Sequence, residues 1–221
     1  RDVLGSRGLG DVYKRQVFDS LVTRDKNIIE LIEKVGVITR EQVQRVLFKN
    51  VHQNIPMRRL SYLSENKLIK RAYYQIEEHK NVYVYYLGKK PSKRNIQHEI
   101  TVTEFITNVM AITDVLEVNT HYVLGDIIAD GYIKYRDSEG KIRRLLLEVQ
   151  LSNKVGDCIN KYNDIKRIIL DNRPDWQTIP RLIVITDLEH NNEQLKHMKV
   201  KYDTTAVSYT HLRAHETLRH L

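Results

Sequence analysis

Two carboxylates sit where metal chemistry would use them. Asp130 lies in Ile127-Ile-Ala-Asp-Gly-Tyr132, and Glu148 follows three leucines in Leu145-Leu-Leu-Glu-Val-Gln150. A carboxylate after a leucine run is costly to bury unless it is paired, hydrogen-bonded or bound to a metal. Two such acids on neighbouring strands are suited to share a hard cation, and Mg2+ takes oxygen ligands while keeping several of its waters. An ordinary strand-end salt bridge is the other reading of the same pair. A second set of residues is basic: Arg58 and Arg59 with Tyr62 on one helical stretch, and His79 and Lys80 in the polar stretch between two runs rich in Ile, Val and Tyr. Their chemistry is contact with phosphates, and a merely solvated basic face is the alternative.

Several elements must position these groups. Ile28, Ile29, Ile32 and Val35 follow helical spacing from Asp25 and stop at Gly36, a residue suited to ending a helix. Thr39, with Gln42 three residues on, predicts a capping box, and Val43, Val46 and Leu47 give the second helix its apolar stripe. A third helix from about Asn54 places Met57, Leu60 and Leu63 inward, leaving Arg58, Arg59 and Tyr62 to face out. The period then changes to two over 68–77 and 81–87, which predicts a β-hairpin. Six of the thirteen tyrosines fall between 62 and 86; strand packing and base stacking both account for them.

The second half reads as a helix from His98 to about Thr113, with Ile100, Phe105, Ile106, Val109 and Met110 near one face. Strands follow over 115–122, 126–135 and 142–151, the last two joined by Asp137-Ser-Glu-Gly140. A helix over 156–170, a buried strand over 181–186 and a final helix over 192–199 complete the order αβββαβ. Asp130 and Glu148 then lie on antiparallel neighbours, and the period of two puts Glu148 and Gln150 on one face.

Charge divides along the same line. Residues 17–90 hold 14 basic and 8 acidic side chains, whereas 91–205 hold 16 and 17, so the first half is the expected polyanion contact. Gly88-Lys-Lys-Pro-Ser-Lys-Arg-Asn95 between them reads as a linker. Asp11–Gln16 and Ser208–Leu221 look like translated sequencing-adapter read-through. Residues 1–16 and 206–221 are therefore read as non-native, and His211, His215 and His220 are not taken as a metal site, nor Gly5, Gly8 and Gly10 as a phosphate loop. A single cysteine, Cys158, cannot form an internal disulfide or a cysteine-based zinc site. Apolar runs fall far short of the roughly 20 residues that cross a bilayer. With no secretory leader, the chain is expected to be cytoplasmic and to have no membrane partner.

Three helices followed by a hairpin resemble a winged helix-turn-helix. The resemblance implies duplex DNA as partner, with Arg58 and Arg59 on the recognition helix and His79 and Lys80 at the wing tip. Over 96–187, the acids in an αβββαβ frame resemble the PD-(D/E)XK nuclease superfamily, the restriction-endonuclease-like fold. That resemblance implies that Asp130 is the motif aspartate, Glu148 the second acid, Gln150 the occupant of the usual lysine position and Glu99 the auxiliary acid. Mg2+ on Asp130 and Glu148 would serve a metal-dependent endodeoxyribonuclease. Ala129 stands in place of the motif proline, and Lys154 or Lys161, the latter beside Tyr162, is placed to supply a displaced ammonium. The winged helix, the His98-led helix, the Asp130-Gly131 step and the Leu147-Glu-Val-Gln150 strand end together look like the replication-relaxation family of Gram-positive plasmids and conjugative elements. That likeness implies a role in replication or mobilisation, with replication or conjugation proteins as partners. The expected fold is α+β, a winged helix over 17–90 and a nuclease-like domain over 91–205. The alternative function is a non-catalytic replication factor or a transcription regulator. A tyrosine-nucleophile relaxase, which needs a His-rich metal triad, does not suit the scattered histidines.

Overall fold

A computed structural model describes residues 22–77, 80–151, 161–162, 164–176, 178–186 and 205–206. The chain forms two units, Arg1–Lys93 and Arg94–Leu221, which meet inside the stretch read as a linker. It is a mixed α and β protein with two sheets. Among the described residues no helix is long and apolar enough to cross a membrane.

In the first unit, helix α1 (Thr23–Val35) buries Ile28, Leu31, Ile32 and Val35 and ends at Gly36, whose φ of 79° closes the last turn with an N–H bond to Ile32. Strand β1 (Val37–Thr39) follows. Thr39 caps helix α2 (Arg40–Leu47) reciprocally: its hydroxyl accepts the Gln42 N–H, and the Gln42 side chain accepts the Thr39 N–H at 2.9 Å. Helix α3 (Asn54–Glu65) tolerates Pro56 in its first turn, where no intrahelical N–H is lost. Pro56, Leu60 and Leu63 are its buried positions. Met57, expected inward, is 47% exposed; Pro56 takes the inward place one turn before Leu60 and turns Met57 toward solvent. Strands β2 (Lys70–Glu77) and β3 (Lys80–Tyr86) form the hairpin, and the sheet runs β1-β3-β2, antiparallel throughout.

The second unit begins with helix α4 (Ile96–Ile112). A meander follows: β4 (Asp114–Leu124), β5 (Ile127–Arg136) and β6 (Ile142–Gln150). Helix α5 (Ile165–Asn172) leads to β7 (Arg181–Thr186), and β8 (Thr205–Ala206) adds an edge pair. The sheet order is β4-β5-β6-β7-β8, with β6–β7 and β7–β8 parallel. A parallel neighbour requires a crossover, and the segment containing α5 supplies it. Five consecutive β6 residues, Leu145 to Val149, are buried, as expected of a strand covered on both faces. Leu146 packs in a core cluster with Ile165 and Ile169 of α5. On the other face, a Cβ added at Gly131 would lie 3.3 Å from Leu147 Cβ and 3.6 Å from Ile106 of α4. Glycine there lets helix and sheet approach closely. Tyr122, Tyr132 and Trp176 stack, with Tyr132 4.3 Å from Tyr122 and 5.6 Å from Trp176. This stack fastens the chain after α5 to the sheet, and burial pushes the Tyr132 hydroxyl up to about 12. The helix expected over 192–199, and the first part of the one expected over 156–170, lie outside the described residues.

Candidate functional site

The candidate site forms where the pairing of β5 with β6 ends. The last ladder pair is Gly131↔Leu147; continuing that register by one step sets Asp130 across from Glu148. On the β4 side the ladder passes from Thr120↔Gly131 to Tyr122↔Ala129. It skips His121, which is opposite Asp130 and has a φ of 53°. Left-handed backbone at a non-glycine residue costs on the order of 1 kcal/mol. Ala129 and Tyr132 are three residues apart yet share one core cluster, so the strand's period of two slips once at Asp130-Gly131. The slip frees the Asp130 carboxylate from the regular pleat. Its Oδ2 accepts the Val149 N–H at 2.8 Å and lies 3.1 Å from His98 Nε2, on the first turn of α4.

Glu148 is only 2% exposed. Its Oε1 accepts two bonds of 2.5 Å, one from Lys161 Nζ and one from the Tyr162 hydroxyl. Lys161 also donates to the Ile128 carbonyl at 2.5 Å. The ammonium thus ties β5 to β6 beyond the end of their ladder. Burial raises the pKa of Glu148, the bonds from Lys161 and Tyr162 offset this only in part, and the Asp130 charge adds to the rise. Burial acts the same way on Asp130, but the His98 bond, the Val149 N–H and the Lys161 charge together outweigh it and leave that carboxyl below its ordinary value. The bond to Asp130 raises His98 against the opposing effect of burial, with Asp130, Glu99 and Glu148 adding negative charge nearby. The two acids therefore differ in character. Asp130 is held ionised, whereas Glu148 takes a proton more readily than a free glutamate.

The other expected residues are placed less centrally. Glu99 follows His98 on α4, and its pKa is raised by burial with His121 and His98 opposing; its carboxylate has no hydrogen bond among the described residues. Gln150 ends β6, half-buried, two residues after Glu148. Its side chain likewise makes no hydrogen bond among the described residues. Lys154 lies outside them. His98 was not foreseen as the partner of Asp130, from which it is 32 residues distant; the one available signal was a histidine in the first turn of a mostly apolar helix.

Among the described residues, no group of three or more His, Cys, Asp and Glu side chains is arranged to hold a metal. The donor set on offer is smaller. Asp130 and Glu148 each spend one oxygen on the bonds above and keep Oδ1 and Oε2 free of hydrogen bonds among the described residues. Two carboxylate oxygens on a hydrated ion fit the oxygen chemistry of Mg2+.

The basic residues of α3 divide. Arg58 is exposed and has no ion pair among the described residues. Arg59 forms a two-pronged pair with Asp25, its Nε 2.7 Å from Oδ1 and its Nη2 bonded to Oδ2, and Asp25 is fully buried. The Arg59 guanidinium also lies 5.2 Å from the Tyr62 ring centre. It fastens α3 to α1. Lys80 opens β3, and His79 lies outside the described residues.

No curated protein and no solved structure matches the chain significantly. A family model described as replication-relaxation matches residues 29–167, which run from α1 of the first unit through the acids and Lys161 of the second. That match spans well over half of the chain, which belongs to the replication-relaxation family.

Proposed function

We propose that the chain acts in plasmid replication or mobilisation, binds duplex DNA through its first unit, and cleaves a phosphodiester at the Asp130–Glu148 site with Mg2+. Family membership suggests the role in plasmid replication or mobilisation. The order α1-β1-α2-α3-β2-β3 supports a winged helix whose recognition helix is α3 and whose wing is the β2–β3 hairpin. The basic excess of residues 17–90 supports the same assignment. In the second unit, the order αβββαβ supports a PD-(D/E)XK-like core.

One observation carries the chemical part: Asp130 and Glu148 directly follow the last β5–β6 pair, near enough for the charge of Asp130 to act on Glu148, with the Lys161 ammonium on Glu148. Asp130 and Glu148 would hold the ion. Bound there, Mg2+ supplies a more acidic water and neutralises charge on the phosphate. His98 and the Val149 N–H fix the Asp130 carboxylate and keep it ionised. Lys161 supplies the positive charge that Gln150 lacks, and Tyr162 fixes the Glu148 oxygen that Lys161 engages.

A non-catalytic replication factor or transcription regulator is the second reading. The observation that favours it is that both acids already have basic partners, Asp130 in His98 and Glu148 in Lys161. Metal binding separates the two. With the full chain, Mn2+ in place of Mg2+ should lose its free-ion EPR signal as it binds a single site. Asp130→Asn with Glu148→Gln should abolish that binding and leave duplex affinity within about twofold, because the charges of the first unit are untouched. No Mn2+ binding by the wild type, or the same binding by the double variant, would contradict the metal site. Loss of duplex binding in the variant would contradict the division of labour.

A further inference from the structure

Toward its tip, beyond the buried Tyr85, the β2–β3 hairpin has one face turned to water that is aromatic where a solvent face is ordinarily polar. Tyr73 and Tyr83 are directly paired across the strands, 57% and 49% exposed, with ring centres 5.0 Å apart. The Arg71 guanidinium lies 5.5 Å from the Tyr83 ring centre. Two pairs further toward the tip, on the same face, Gln75 is paired with Asn81, and both are exposed. The opposite face takes the packing role, with Ala72, Tyr74 and Val84 buried. Neither Arg71 to Gln75 nor Asn81 to Tyr85 contains an acid, within a half of the chain whose basic side chains outnumber its acids.

We propose that this face binds single-stranded DNA, with unpaired bases stacking on Tyr73 and Tyr83, phosphate held by Arg71, and base edges met by Gln75 and Asn81. Charge complementarity selects the occupant. An apolar protein partner would not call for an arginine beside Tyr83, whereas a strand of nucleic acid brings a π face and a negative charge at every nucleotide. A duplex keeps its bases stacked on one another, so it cannot use the two rings. The choice of DNA over RNA rests on the proposed function; the stacking does not.

The test measures anisotropy of the full chain with labelled oligo-dT of about 20 nucleotides, the RNA strand oligo-U, and a duplex of equal length. Tyr73→Ala and Tyr83→Ala should each weaken oligo-dT binding by about tenfold. Duplex affinity should stay within about twofold, since a wing meets duplex phosphates at its tip, beyond these two rings. Tyr73→Phe and Tyr83→Phe, which keep the ring, should bind oligo-dT as the wild type does. Arg71→Ala should flatten the salt dependence of oligo-dT binding, whereas the alanine variants at the tyrosines should leave that slope unchanged. The inference is overturned if the wild type binds duplex but no oligo-dT, if the alanine variants bind oligo-dT normally, or if they weaken both forms equally. Preference for oligo-U over oligo-dT would overturn the DNA assignment. Failure to bind any of the three would remove the proposed DNA-binding function as well.

Discussion

Arg58 and Arg59 are adjacent, identical in type and different in role. Arg59 balances a carboxylate that water does not reach, so Arg59→Ala leaves Asp25 buried without a partner and should cost on the order of 3 kcal/mol of unfolding free energy in a denaturant titration. Arg58→Ala should leave stability within about 0.5 kcal/mol. It should weaken duplex binding and lower the salt slope by about one unit. A double substitution would confuse the two effects. Equal stability of the two single variants would contradict the assignment of Arg59. Nothing in the local pattern separates the pair, because what distinguishes them is Asp25, 34 residues earlier in the chain. The same holds for His98 and Asp130. The acids Asp130 and Glu148 were legible because a carboxylate in an apolar strand needs an explanation wherever its partner lies. Lys161 and Tyr162 were legible as neighbours of the motif strand, but their joint hold on one Glu148 oxygen required the structure.

At the scale of elements, the signals that proved readable were those confined to a few successive residues. The Thr39–Gln42 capping box, the glycine stop at Gly36 and the alternation in β2 and β3 are all local, and each matches the element that forms. Strand β1 has three residues, all buried, and β8 has two, so neither shows a period. Met57 went the other way from expectation because Pro56, one position earlier, packs inward. The turn between β5 and β6, which sets the register of the two acids, rests on Asp137. Its Oδ1 accepts the N–H groups of Glu139 and Lys141, and Oδ2 accepts from Arg143 Nε at 2.7 Å. The bond to Arg143, then the two backbone N–H groups, hold this carboxyl below its ordinary value despite an opposing desolvation effect. A depressed folded value means that the contribution to stability is complete above the ordinary carboxylate range and is lost as pH falls through the folded value. Measured from neutral pH down to about pH 2, the stability difference between wild type and Asp137→Asn should shrink toward acid. A difference independent of pH would contradict this account of the turn.

For the molecule as a whole, charge and fold divide along the same line: residues 17–90 carry the basic excess, whereas the second unit is nearly neutral and holds Asp130, Glu148 and Lys161. Replication-relaxation membership extends across both, consistent with a function that uses the two together. In the proposed nuclease reading Gln150 takes the place expected of a lysine, and an ammonium reaches Glu148 instead from Lys161, beyond β6. Gln150→Lys should therefore change cleavage little, whereas Lys161→Ala should slow it by on the order of a hundredfold. The central claim is tested most directly by incubating the full chain with supercoiled plasmid and Mg2+ and following conversion to nicked or linear DNA. The account predicts conversion that stops with chelator, is absent in Asp130→Asn and Glu148→Gln, and falls in Lys161→Ala while duplex binding persists in all three. A wild type that binds the plasmid and leaves it intact, or cleavage that persists in both acid variants, would contradict it.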